Sequence, residues 1–164
     1  MTMADALLPE FDHEMATTRK VLERVPDGRF AWKPHDKSMT LGRLAGHLAE
    51  IPGWVKETLT KDSVDIGGEF TPDIPTTRAE VLAKFDKVLA VARPLLAGVA
   101  DAQLMTPWSL KNKGEVILSM PKAAVLRSFV FSHLIHHRGQ MCVYLRLNEV
   151  KVPAIYGPSA DEQG

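Results

Sequence analysis

Ser132-His133-Leu134-Ile135-His136-His137-Arg138-Gly139-Gln140 carries three of the chain's six histidines within five residues. The surrounding positions Ala124, Val125, Phe129, Ser132, His133, Ile135, His136, Gln140, Val143, Tyr144 and Leu147 are nearly all apolar or histidine and lie on one broad side of a helix. That pattern predicts a long and central final helix, with Pro121 in its first turn. His133 and His137 are four residues apart, so they project about 40° from each other at 3.6 residues per turn. Two imidazoles on one helical face form a metal chelate, the spacing logic of zinc proteases. The glutamate of that protease motif is absent, because Leu134 follows the first histidine. Protease chemistry is therefore not implied. A His133/His136 pair, about 60° apart, is a second geometric option. A polar strip hydrogen-bonded between helices is the non-metal reading of the same residues.

Working outward, three more segments have helical period. Ala4, Leu7, Leu8, Phe11, Met15, Thr18, Leu22 and Val25 mark a first amphipathic helix, closed by Pro26-Asp27-Gly28. Pro34 keeps Phe30–Lys37 out of a helix interior, which makes this stretch a loop that pins Phe30 and Trp32 to the core. Ser38 or Thr40 can cap a second helix with the stripe Leu41, Leu44, Leu48 and Ile51. His47 lies on that stripe. By itself it reads as a core histidine, and the HxxxH pair makes it a candidate third ligand. Pro52-Gly53 should kink or interrupt this helix before Trp54, Val55 and Leu59. Lys61–Pro75, with two glycines and two prolines, is the longest expected loop, either a connection or a lid. Thr77-Arg78-Ala79-Glu80 is a capping box opening a third long helix, in which Pro94 predicts a kink or early end. Lys111-Asn112-Lys113-Gly114 is a turn signal, and Glu115–Leu118 is a short strand or extended loop. These segments predict one all-α domain over 1–164: a four-helix bundle with a long loop between helices 2 and 3. Residues 158–164 are expected to form a flexible tail.

Lys plus Arg equals Asp plus Glu at 20 each, so no overall field recruits nucleic acid. A single cysteine excludes an internal disulfide and suits a reducing cytoplasm. No apolar run approaches a membrane span, and no signal peptide is recognisable at the start. Cys142, about 140° round the helix from His137, reads as a buried inert thiol.

Three motifs carry a family resemblance. Thr40-Leu41-Gly42-Arg43-Leu44-Ala45-Gly46-His47-Leu48, then His133-x-x-His136-His137-Arg138-Gly139-Gln140, then Val152-Pro153-x-x-Tyr156-Gly157 together resemble the DinB/YfiT-like superfamily over nearly the whole chain. The resemblance implies a four-helix bundle of up-down-down-up type, often a homodimer, with a divalent metal such as zinc or nickel on His47, His133 and His137. His136 is then a neighbour of the site. Three protein ligands leave positions open for water or substrate. Relatives include thiol-dependent transferases and isomerases, which implies a small-molecule enzyme activating a low-molecular-weight thiol or water. The alternative is a metal-binding stress-response or ligand-sensing protein without turnover. Candidate helpers are Glu50, one turn after His47, together with His136 and Arg138; Trp32 and Tyr156 are candidate pocket walls. The apolar load of the helices, with Trp54 and Trp108 expected at the surface, also argues for a dimer.

Overall fold

The computed structural model describes residues 2–69 and 71–163. Thr2 accepts from the Asp5 amide while Asp5 accepts from Thr2, a capping box that opens helix α1 (Met3–Leu22). Thr40 caps α2 (Leu41–Glu50) by accepting from the Arg43 amide. Pro52 then tightens the chain into a 3-10 turn (Ile51–Gly53), from which α3 (Trp54–Thr60) restarts, as the Pro-Gly pair predicts. Thr77 caps α4 (Arg78–Ala97), which ends one turn beyond Pro94. A short α5 (Asp101–Leu104) follows. The last long helix is composite: α6 (Lys122–Val125), a π-helical segment (Leu126–Ser132) and α7 (His133–Leu147). Pro121 is the residue before it rather than part of its first turn.

Helix α1 packs on α4 and α7, and α2 packs on the same two. Phe11, Leu22, Leu44, Leu48, Phe85, Leu96, Phe131, Leu134 and Leu145 fill the space between them and are fully or almost fully buried. Burying a side chain of this size stabilises the fold by about 1.5–3 kcal/mol. The core therefore holds the helical faces in register.

The expectation of a purely all-α bundle is corrected by a sheet. Among the described residues, β1 (Ser63–Asp65), β2 (Pro107–Asn112) and β3 (Glu115–Pro121) form a three-stranded mixed sheet in that order. Strand β1 runs parallel to β2, with Ser63 opposite Ser109, and β3 returns antiparallel, with Met120 opposite Trp108. Lys113 and Gly114 turn the hairpin at φ 51° and 85°. Both values are left-handed, as a two-residue hairpin turn of right-handed twist requires. Asp65 clasps β1 to this turn, accepting from the amides of Gly67, Lys113 and Gly114 at 2.8, 3.0 and 2.7 Å. The residues expected to form the longest loop thus contribute a strand, because the edge of β2 is open to them.

Trp108 anchors the sheet to the helices. It is fully buried, donates from Nε1 to the Glu57 carbonyl at 3.3 Å, and packs edge-on against Trp54 and Phe129. The expected surface position of Trp108 is therefore wrong, and Trp54 is half-buried beside it. In the closing segment Asp161 accepts from the Val152 amide and Glu162 from the Ala154 amide, and Arg24 pairs with Glu162. Gly164, the end of the expected tail, lies outside the described residues. No described helix is long and apolar enough to cross a membrane.

Candidate metal centre

The end of α2 meets the start of α7 where three imidazoles converge. Gly42 and Gly46 set the position of α2. A Cβ on Gly42 would stand 2.7 Å from the Phe30 ring, and one on Gly46 would stand 2.6 Å from Pro75. Only glycine admits such close approach, so the loops flanking α2 press against one side of it. Arg43, His47 and Glu50 face an open cavity on another side.

The Nε2 atom of His47 lies 3.2 Å from that of His133, and His137 Nε2 lies 2.9 Å from His133 Nε2. Candidate ligand atoms of all three fall within 4.8 Å of one another. Ligands about 2.05 Å from an ion would stand ~3.3 Å apart in a tetrahedral arrangement and ~2.9 Å apart at right angles. The spacing fits a divalent metal.

The other ring nitrogens have surroundings of their own. His137 Nδ1 is 2.7 Å from Gln140 Oε1, an acceptor that holds the ring proton on that side. The Phe129 carbonyl lies near the His133 ring and favours its protonated form. The π-helical turn shifts the backbone pairing here, the His133 amide donating to the Ser128 and Val130 carbonyls. His47 Nδ1 faces Glu50 Oε2 at 3.9 Å, a charge contact longer than a hydrogen bond. With its proton held on Nδ1, His137 presents an Nε2 lone pair to His133 at 2.9 Å, and His47 Nε2 approaches the same atom at 3.2 Å. The cluster is able to hold a divalent cation.

Burial, followed by the charge of His47, pushes His133 below the ordinary histidine range. Burial also pushes His137 down to about 4, with His47 and His133 adding to it against the Gln140 bond. Both rings are neutral ligands at neutral pH. At Glu50, burial raises the carboxyl, but His47, Lys84 and Arg43 outweigh it and hold it at about 2. Lys84 donates to Glu50 at 2.7 Å, and Arg43 lies 3.5 Å from the same carboxylate. Glu50 is therefore an ionised, well-anchored carboxylate behind His47.

Two cavities open at His133. One, of ≈ 690 Å³, is lined by Arg43, His47, Glu50, Trp54, Glu57, Val64 and Asp65 of β1, and Ile66 just after it. The other, of ≈ 520 Å³, is bounded by Leu110, Ser128, Phe129, Ser132 and His136, and it shares Trp54, Ile66 and His133 with the first. The sheet thus forms a wall of both.

Among the residues singled out in the sequence, His47, His133, His137 and Glu50 come together here. His136 is exposed, packs edge-on against His137 and lines the second cavity. Arg138 is on the opposite side of α7, 1 % exposed and paired with Glu14 at 2.6 Å. Tyr156 donates to both Glu14 carboxylate oxygens at 2.9 Å and touches Arg138. Trp32 packs on Tyr144. Neither Tyr156 nor Trp32 lines a cavity at the histidines. Arg43, Trp54 and the roles of Gln140 and Phe129 were not read from sequence. Arg43 one turn before His47, and Gln140 three residues after His137, carried a spacing signal; Trp54 and the Phe129 carbonyl did not. Cys142 is partly buried, and burial raises its thiol above the ordinary range.

The model of the DinB family matches residues 1–163. An uncharacterized protein YrdA of Bacillus subtilis (strain 168) is 29% identical over 163 residues, covering 96% of this chain and 90% of that one. The crystal structure of a DinB-like protein from Bacillus cereus ATCC 10987 superposes with a TM-score of 0.76 at 26% identity, covering 94% of this chain and 98% of the other. A second DinB-like protein, YjoA of Bacillus subtilis, shares the fold at a TM-score of 0.67 and 16% identity, over 90% and 95% of the two chains. With a full-length family match and a histidine cluster able to hold a divalent metal, this chain belongs to the DinB family.

Proposed function

We propose that His47, His133 and His137 hold a divalent ion, zinc or nickel, and that the protein is a small-molecule enzyme acting in the adjoining cavities. The observation that carries this is the convergence of three imidazoles, with His47 Nε2 and His137 Nε2 at 3.2 and 2.9 Å from His133 Nε2 and Gln140 holding the His137 proton outward. A bound ion of this kind lowers the pKa of a water or of a low-molecular-weight thiol and so supplies a nucleophile near neutral pH.

The chain's own residues prepare the site for that chemistry. Gln140 fixes the tautomer of His137, the Phe129 carbonyl lies near His133, and Glu50 stands behind His47. Trp54, Ile51 and Ile66 make the walls apolar and limit water on the open side of the site. The test is conjugation of an electrophile with a panel of thiols, using protein purified without a nickel column. Turnover that depends on all three histidines is expected. Turnover unchanged in the alanine variants would overturn the assignment.

A second reading, metal binding for stress response or ligand sensing without turnover, is favoured by one observation. Glu50, the carboxylate nearest the histidines, is committed to Lys84 and Arg43 and held at about 2, a poor general base at neutral pH. Stoichiometric metal binding with no conjugation across the panel would select that reading. A homodimer belongs to the same proposal, with exposed Val143 and Leu147 on α7 as apolar surface for it. Light scattering should give twice the chain mass, and a monomer at micromolar concentration would refute it.

A further inference from the structure

We propose that the two cavities meeting at His133 form one binding site for a small acidic molecule with an apolar ring or tail, its carboxylate on Arg43 and its apolar end among Trp54, Leu110 and Phe129. This deepens the reading of the histidine site as a small-molecule site and rests on it.

Arg43 supplies the first observation. Its side chain lines the larger cavity, and no described residue hydrogen-bonds its guanidinium; NH1 is shut in beside Glu50, and the remainder of the side chain reaches the cavity. Glu50 Oε2 lies 3.5 Å from NH1, and Glu50 Oε1 accepts from Lys84 at 2.7 Å. A mostly buried guanidinium without a hydrogen bond is costly, and a carboxylate is the partner its fork geometry fits.

The other acids around the cavity are committed elsewhere. Glu57 pairs with Lys61 at 2.5 Å, and Asp65 accepts from three backbone amides. Glu69 is exposed at the rim. Among the described residues, Arg43 is the one arginine or lysine in this cavity's lining, and its guanidinium keeps hydrogen-bond donors free for a ligand.

The second cavity decides the rest of the ligand. Its walls are aromatic and aliphatic except for two serines and the two histidines His133 and His136. Trp54, Ile66 and His133 belong to both chambers, so a ligand anchored on Arg43 passes the histidines before reaching the apolar end. Arg43 and His47 are one helical turn apart, about 6 Å. A chain of a few bonds spans that distance.

The test is calorimetric titration of metal-free protein with 3-phenylpropionate, its amide, 3-phenylpropylamine and acetate. Omitting the metal keeps the carboxylate from binding an ion instead of Arg43, so the outcome is independent of whether the histidines bind metal. Phenylpropionate should bind about tenfold or more tightly than the amide and than acetate, the scale of a charge-assisted hydrogen bond and of a buried ring. R43M should abolish the preference for acid over amide. S128F, which fills the apolar chamber, should weaken phenylpropionate and leave acetate unchanged. Equal binding of acid and amide, preference for the amine, or no binding of phenylpropionate at millimolar concentration would overturn the proposal. So would an acid preference that survives R43M. The wild-type comparison alone decides the matter if R43M does not fold.

Discussion

His47 and His133 are 86 residues apart in the chain and 3.2 Å apart in space, Nε2 to Nε2. At that distance the two nitrogens either share a proton or are bridged by a cation, and the helices that carry them pack through the core. The site is preorganised by packing rather than gathered by its ligand.

Replacing His47, His133 or His137 singly by Ala should therefore abolish one-to-one binding of zinc in calorimetry while leaving the helical content intact. In wild-type protein, zinc at 100 times its Kd should add about 2.7 kcal/mol to unfolding stability by mass action. Unchanged affinity in any one of the three variants would exclude that residue from the site. H136A should bind zinc like wild type.

The groups behind the rings have their own signature. Gln140→Leu removes the acceptor that orients His137, and Glu50→Gln removes the charge behind His47. Losses of metal affinity of about 10–100-fold are expected for changes at such positions. Circular dichroism spectra identical to wild type, together with unchanged affinity, would show that neither group tunes the site.

On the far side of α7, Glu14 and Arg138 form a buried ion pair, 5 % and 1 % exposed. Arg138 also donates to the Glu14 carbonyl and to Thr18. R138M should cost about 3–5 kcal/mol in urea unfolding, because it leaves Glu14 buried and uncompensated. The double variant E14Q/R138M should recover part of that loss. If R138M is as stable as wild type, the pair contributes nothing to the fold.

Tyr156 gives a pH dependence of known sign. Burial first, then the bond to Glu14, raises its phenol above the ordinary value of 10.0, against the pull of Arg138. A group whose pKa is higher in the folded state contributes stability that is complete below its unfolded value. That contribution is lost as pH rises above 10 and through the folded value. Urea midpoints of wild type should fall more steeply between neutral pH and this range than those of Y156F. Parallel profiles would remove Tyr156 from the account.

Much of the helical framework was legible because it is local. Apolar residues at spacings of three and four, the Thr40 and Thr77 caps and the Pro52 break are properties of short windows, and each appears where expected. The chelating face of α7 was legible for the same reason: four residues on a helix are one turn, and His133 and His137 meet at 2.9 Å. The sheet was half legible. Lys113-Gly114 announced a turn and Glu115–Leu118 a possible strand, but β1 pairs with β2 across more than forty residues, and nothing in Ser63–Asp65 signals that pairing.

By itself, then, the sequence determined the helices, their faces and which histidines share one, since those follow from backbone periodicity within a few turns. Only the tertiary structure decided the rest. It buried Trp108 beneath a sheet, sent Arg138 to Glu14 instead of to the histidines, and placed Arg43 and Trp54 in the cavity wall. Those outcomes depend on which face each element turns to a distant partner, and that is set by packing of the whole core. The histidine pair on α7 needed one helix; the third nitrogen, on His47, needed the fold.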